Sequence, residues 1–347
     1  MCSLSLITLK PKMMKKILMG IMVFLLILSC KEDKKEKFLP NSVGAINTLS
    51  IVIDNDMWNG RVGDSIRKYY ADEVLGLPVV EPLFTIHQIP FEVFSGATRN
   101  SRNVLVVKKD TAEVAGLRTD LYAKPQKVGI IKAPTEDEII QKIAETAPQI
   151  INAFKKNDIL ESQERFTRSL NRETALSEEL GVSLTMPSIY KIAKQEGNFF
   201  WIERQISKGT MNILVYEMPL NSIPDDSTRV DAIIKMRDSI GEKYIPGRRE
   251  GMYMITEKAY APYVFDAEIA GRKAIETKGM WEVKNFAMAG PFINYIVTDK
   301  PNNRLLVLEG FTFAPSTNKR DYMFELEAVL KTLKFTSPKK DLAIKSE

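Results

Sequence analysis

From residue 31 to its end the chain contains no cysteine, and its only histidine is His87. Whatever folds there is held together by its apolar core without disulfides. Thiol nucleophiles, iron–sulfur ligation and cysteine-built zinc sites are excluded for that stretch. A lone histidine also excludes a centre built on several imidazoles within the chain, so no metal and no other cofactor is expected. With 44% hydrophobic and 27% charged residues, the composition is that of a folded chain rather than a disordered one. Its length suits about two domains of roughly 100–200 residues.

The first 30 residues carry the sharpest local signal. Met13-Met14-Lys15-Lys16 is a cationic start, Ile17 to Leu28 is an uncharged run of twelve residues, and Ser29-Cys30 follows before the polar Lys31–Lys37. A bilayer-spanning helix needs about 20 apolar residues, and this run falls short. A basic segment, a short apolar segment and a small residue read as a secretory signal over residues 1–29, with the true start at Met13 or Met14. The end Ile27-Leu28-Ser29-Cys30 resembles the lipobox of bacterial lipoproteins. That resemblance implies cleavage before Cys30, a diacylglycerol thioether on its sulfur and an acylated amino terminus. Acyl chains contribute about 0.8 kcal/mol per buried CH₂, so several of them make a firm membrane anchor. Lys31-Glu32-Asp33 further resembles the acid-rich export tag of some Bacteroidota lipoproteins, which implies an outer-membrane lipoprotein facing either the periplasm or the cell surface.

The leader also explains the charge. Its first 29 residues hold four lysines and no acid, so without them the formal net charge of +5 becomes +1. Nothing then demands a basic face on the folded part, and no nucleic-acid partner is expected.

Beyond a lipidated cysteine and charged linker (residues 30–44), the pattern predicts two α+β domains, 45–175 and 176–336, and a disordered tail at 337–347. In each, an antiparallel sheet packs with helices. Leu49–Ile53 reads as a strand, Trp58–Glu73 as a helix, and Leu83–Ile89, Asn103–Val107 and Lys127–Ile131 as further strands. Thr135 to Glu138 has capping-box spacing ahead of a helical stripe from Ile139 to Phe154, in which Pro148 predicts a kink or a break. The polar stretch Lys155–Glu179 is where the domain boundary is expected. In the second half, Phe199–Ile206 and Met211–Met218 suit a hairpin, Val230–Ile240 a helix, Arg304–Phe313 a strand and Tyr322–Leu333 a closing helix. The second half resembles the Mog1/PsbP-like sandwich in opening with a short strand ended by proline (Val182–Pro187) and closing with a helix that leads into a phenylalanine strand end (Leu326–Phe335).

Blocks along the whole chain are similar to those of a Bacteroidota envelope lipoprotein family known only as domain of unknown function 4837. They include Trp58-Asn59-Gly60-Arg61-Val62-Gly63-Asp64, Glu81-Pro82-Leu83-Phe84, Tyr244-Ile245-Pro246-Gly247, Gly279-Met280-Trp281-Glu282 and Met288-Ala289-Gly290-Pro291-Phe292. Ala289 stands where glycine would be expected. The resemblance implies an envelope location and transfers no activity.

Chemistry that survives these exclusions is sparse. A Ser-His-Asp triad would have to use His87, which shares a strand face with Leu83, Thr85 and Ile89 as a structural or sheet-surface histidine does. Gly60-Arg61-Val62-Gly63 lacks the lysine and hydroxyl residue of a phosphate loop. Carboxylates could support glycoside cleavage, with Asp54, Asp56, Asp64, Glu81 and Glu282 near turns. Asp54-Asn55-Asp56 lacks the spacing of a calcium loop and reads better as a helix cap. Trp58, Trp201 and Trp281 could form a carbohydrate or peptide platform, although Phe199-Phe200-Trp201 is also the pattern of a strand supplying both faces of a sheet. Arg248 and Arg249 could read an anionic glycan or a partner's acids.

The binding surface expected is therefore Trp58, Arg248, Arg249 and Trp281, with no catalytic residue assigned and Cys30 as the lipidation site. The partners expected are the membrane, through those acyl chains, and an envelope protein or glycan. The chain reads as a lipid-anchored envelope protein acting by binding or assembly, with a carboxylate-based hydrolase acting on glycan or peptidoglycan as the alternative.

Overall fold

The computed structural model describes residues 38–336. The signal segment, Cys30, most of the linker and the tail at 337–347 lie outside the described residues. From Pro40 onward the chain belongs to one unit, built on two large sheets and a two-stranded one.

The first sheet follows from a strand–helix–strand start. β1 (Thr48–Val52) runs into the helices α1 (Asn55–Asn59) and α2 (Arg61–Tyr70), then β2 (Thr85–Ile89), β3 (Asn103–Lys109), β4 (Val114–Thr119) and β5 (Lys127–Ala133). The order is β2-β1-β3-β5-β4. β1 pairs in parallel with both β2 and β3, and β3 in parallel with β5; β4 alone is antiparallel, against β5. The α+β class holds, but the pairing here is mixed where an antiparallel sheet was expected. The reason is the crossover: a strand that returns through α1 and α2 re-enters the sheet in the same direction. The helix expected over Trp58–Glu73 divides at Gly60 into α1 and α2.

α3 (Glu136–Thr167) is 32 residues long, and its stretch up to Phe154 packs along this sheet. The backbone N–H of Glu138 donates to Thr135 Oγ1 at 3.3 Å, and that of Thr135 donates to Glu138 Oε2 at 2.9 Å, the reciprocal cap its spacing predicts. Pro148 lies inside the helix without ending it. One lost hydrogen bond is outweighed by the row Ile139, Ile143, Ala147, Ile150 and Phe154, all buried against the first sheet's core. Beyond Lys155 the helix is largely polar, yet Asn157, Asp158 and Ser162 are buried. Asn157 donates to Asn103 Oδ1 at 3.1 Å, while Asp158 accepts from the Asn47 backbone N–H at 3.0 Å and from Arg102 at 3.2 Å. Burial raises the Asp158 carboxyl to about 6 despite Arg102 beside it.

After α4 (Ala175–Leu180) and β6 (Val182–Ser183) comes the large sheet. Its strands are β7 (Lys191–Glu196), β8 (Phe199–Ile206), β9 (Gly209–Pro219), β10 (Met254–Thr256), β11 (Tyr263–Ile269), β12 (Arg272–Val283), β13 (Phe286–Asp299) and β14 (Arg304–Phe313). They pair antiparallel in the order β10-β12-β13-β14-β9-β8-β7, with β11 also on β12. β15 (Lys334–Phe335) pairs with β6, Phe335 opposite Val182, so the two end pieces noticed in the sequence meet each other.

Alternate residues of each strand serve opposite faces. One face carries Phe200, Ile213, Val215, Ile293, Tyr295, Leu306 and Leu308 and is covered by α6 (Arg320–Leu330), the end of α3 and α4. The other carries Phe199, Leu214, Tyr216, Trp281, Phe292, Val307 and Phe311 under α5 (Arg229–Tyr244). The triplet Phe199-Phe200-Trp201 does supply both faces.

Candidate functional site

α5 is pinned over the middle of its face by one buried arginine. Arg237 donates from Nε and Nη2 to the two carboxylate oxygens of Glu309 on β14 at 2.9 and 2.7 Å, and from Nη1 to Thr256 Oγ1 at 2.6 Å. Asn294 on β13 completes Glu309 at 2.9 Å, and the guanidinium lies 3.4 Å from the centre of the Phe292 ring. A fork of parallel donors fits a carboxylate in one orientation, so the pair sets where the helix sits as well as holding it.

The helix stops at Tyr244, before the sheet does. The chain turns at Pro246-Gly247, with the Gly247 N–H donating to the Met252 carbonyl at 2.7 Å. Past this point the sheet's face is open, and a cavity of about 490 Å³ lies against β8, β9, β14, β13 and β12. Five of its fifteen lining residues are aromatic. Phe311 sits between two tryptophans, its ring centre 6.4 Å from that of Trp201 and 5.6 Å from that of Trp281, with Phe313 6.4 Å from Trp281. Phe286, Met288 and Val283 complete the apolar side. Trp201 Nε1 donates to Asn212 Oδ1 at 2.9 Å, and Asn212 Nδ2 donates to Thr210 Oγ1 at 3.0 Å, which fixes that indole. The buried Nε1 of Trp281 has no acceptor among the described residues.

Gly290 makes the arrangement feasible. A Cβ there would stand 2.1 Å from the Thr312 carbonyl oxygen and 3.0 Å from Trp281 Nε1. Charge in the cavity is limited to Glu203 on β8 and Arg248 in the loop after α5, the latter exposed and without an ion pair among the described residues. An apolar, aromatic enclosure of this volume with a few placed polar groups is the form that small-ligand sites take.

Residues 169–332 match the model of a family described as a domain of unknown function (DUF4837), and residues 42–167 match a second one, DUF8532. The DUF4837 match covers a little under half of the chain, so the second half is similar to that family. The cavity lies wholly within that half, whereas the blocks from Trp58 to Phe84 that resembled DUF4837 fall within the DUF8532 part. No curated protein matches the sequence. Among solved structures, a protein from Bacteroides thetaiotaomicron aligns at a TM-score of 0.27 and 14% identity, over 47% of this chain and 47% of its own. The chain thus spans about half of that protein. LpqN, a protein involved in cell envelope biogenesis of Mycobacterium tuberculosis, aligns at 0.26 and 12% over 45% of this chain and 83% of its own.

Of the residues singled out in the sequence, the DUF4837 half brings Arg248, Trp281 and Trp201 to one cavity. Arg249 is exposed in the same loop, its carbonyl accepting from the Met252 N–H at 3.1 Å. Trp58 is elsewhere: it packs on the first sheet's core with the Arg67 guanidinium 4.7 Å over its ring. His87 is exposed on β2, at that sheet's edge.

The candidate carboxylates do not line the cavity. Asp64 pairs with Arg67 at 2.7 Å, and Asn55, between the exposed Asp54 and Asp56, accepts from Gln88 at 3.0 Å. Asp54 occupies the N-cap position of α1 without a side-chain cap bond. Glu81 is buried and accepts from the backbone N–H groups of Lys319 and Arg320 at 2.7 and 3.1 Å, capping α6 from the first sheet's side. Glu282 is raised by burial and by its neighbour Glu257. Sequence reasoning missed Phe286, Met288, Phe311, Phe313 and Asn212 as cavity residues. Their alternation in strands marks a sheet face, but only the point where α5 ends distinguishes a lining from a core.

Proposed function

We propose that the protein is a cell-envelope binding module, held to the membrane by acyl chains on Cys30, that takes a small amphiphilic acid into the cavity beside α5. The observation that carries this reading is the cavity's make-up: two tryptophans and three phenylalanines in about 490 Å³, with Arg248 exposed and making no ion pair among the described residues. An apolar or aromatic body would stack among the rings while its acidic group met the guanidinium. Binding is favoured over hydrolysis because glycoside cleavage needs two carboxyl groups, and the lining supplies Glu203 alone.

The anchor rests on the sequence from Met13 to Cys30. No helix among the described residues is long and apolar enough to cross a membrane.

The probe for the cavity is 1-anilinonaphthalene-8-sulfonate, an aromatic monoanion, titrated into the full chain. Saturable one-site binding that weakens about tenfold in Arg248→Glu is expected. Binding that ignores both Arg248→Glu and Met288→Trp, a variant that fills the space, would overturn the reading. The anchor is tested separately: Cys30→Ala should move the protein out of the membrane fraction, and the failure of palmitate to label the wild type would remove the envelope assignment.

A further inference from the structure

A second cavity, of about 470 Å³, opens on the opposite face of the sheet between α3, β12 and α6. Lys155 of α3, Lys278 of β12 and Lys331 at the end of α6 line it with Glu276 and Glu327. Both carboxylates are engaged. Lys278 Nζ lies 2.9 Å from Glu276 Oε1 and 3.9 Å from Glu327 Oε2; Lys331 pairs with Glu327, and Tyr295 on β13 donates to Glu276 Oε2 at 2.5 Å. Lys155, half-buried, makes no ion pair and no hydrogen bond among the described residues. At the exposed rim Lys156 and Glu268 add one charge of each sign. Three ammonium groups therefore face two carboxylates, and one positive charge is left without a counter-ion.

A partly desolvated charge with no partner is costly. Burial draws the Lys155 ammonium below its ordinary range, with Lys278 and Lys331 adding to that and Glu327 and Glu276 opposing it. Burial alone would raise Glu327, yet Lys278, Lys331 and Lys155 bring it down to about 2, so its negative charge is fixed. The rest of the lining includes Ile159, Ile269 and Phe324, which offer an apolar surface beside the unpaired ammonium.

We propose that this cleft binds a small aliphatic carboxylate, a monoanion whose carboxylate takes the position beside Lys155 that no side chain of the protein fills. Its alkyl portion lies on Ile159, Ile269 and Phe324, and the ion pair restores neutrality to the cluster. The site is separate from the aromatic cavity and does not depend on it.

The test is a titration of the full chain, ¹³C-labelled at lysine Cε, with hexanoate and with hexanol as the neutral isostere. Hexanoate should move the Lys155 signal and raise its titration midpoint by about one unit. Binding should fade as pH rises through that midpoint, because only the ammonium form attracts the ligand. Lys155→Gln should weaken binding about tenfold, while Lys155→Arg, which keeps the charge, should stay close to wild type. Hexanol that binds as well as hexanoate would overturn the proposal. So would an unmoved Lys155 signal under saturating hexanoate, the result to be expected if the acid went to Arg248 instead.

Discussion

The two faces of the large sheet are made of alternate residues from the same strands, yet they finish differently. Toward α6, four elements close over the apolar surface: α6, the end of α3, α4 and the β6–β15 pair together bury Phe166, Leu176, Leu180, Val182, Leu326, Val329 and Leu330, and the cleft left there, beside β12, is lined by lysines and glutamates rather than by aromatic rings. Toward α5, one helix covers the middle, is fixed by Arg237 and ends before the strands do. The second face has apolar residues in excess of its cover, and the excess is the aromatic cavity. An enclosure of this kind needs no special strand chemistry. It needs a covering helix that is held firmly and is too short.

The comparison can be broken first at the clamp. Arg237→Met leaves Glu309 buried without its partner and should cost about 3–5 kcal/mol in urea unfolding, with loss of cavity binding because α5 is no longer located. A smaller loss would mean that packing alone places the helix. Next, Leu330→Ala on the closed face should cost about 2–5 kcal/mol while leaving the remaining folded protein's affinity for the naphthalenesulfonate probe unchanged.

The closed face should also be the acid-sensitive one. Glu327 is held well below its ordinary pKa, so it contributes stability above about pH 4.5, and that contribution is lost as pH falls toward 2. Asp158 acts in a different window and with the opposite sign. Its carboxyl titrates at about 6 in the folded state, so the native form binds the extra proton and stability falls as pH rises from about 4 to about 6. Urea midpoints against pH for Glu327→Gln and Asp158→Asn should flatten the first and the second window respectively. A Glu327→Gln curve that keeps its acid limb would place the sensitivity elsewhere.

Smaller effects sharpen the open face. Gly290→Ala should cost about 1–3 kcal/mol, because the new methyl meets the backbone of Thr312 rather than a side chain that can move. Phe286 is 45% exposed, so Phe286→Ala should cost less than about 1 kcal/mol of stability and still weaken probe binding several-fold. Equal effects on stability and on binding would make it a core residue instead.

How much of this is legible in the sequence follows from where each residue finds its partners. β14 was read with its observed bounds because an apolar run between a turn and a proline needs no distant information. β12 and β13 begin earlier, at Arg272 and Phe286, than their apolar segments suggest, since antiparallel pairing with long neighbours carries polar residues into the ladder. The polar stretch after Lys155 looked like a boundary because Asn157, Asp158 and Ser162 are hydrophilic. The burial of Asn157 and Asp158 rests on Asn103, Arg102 and Asn47, residues far back in the chain whose proximity no local pattern encodes. Trp281 and Arg248 were visible as an indole and a cation worth noting, but their shared cavity depends on strand register and on the end of α5. Trp58, chosen on the same grounds, packs on a different core.

The measurement that tests the cavity most directly is the set of three indole N–H signals in a ¹H–¹⁵N spectrum, one from each of Trp58, Trp201 and Trp281. On titration with the naphthalenesulfonate probe, the Trp201 and Trp281 signals should shift together to saturation while Trp58 stays in place. Movement of Trp58 alone, or saturation that leaves Trp201 and Trp281 where they were, would contradict a ligand site on the open face of the sheet.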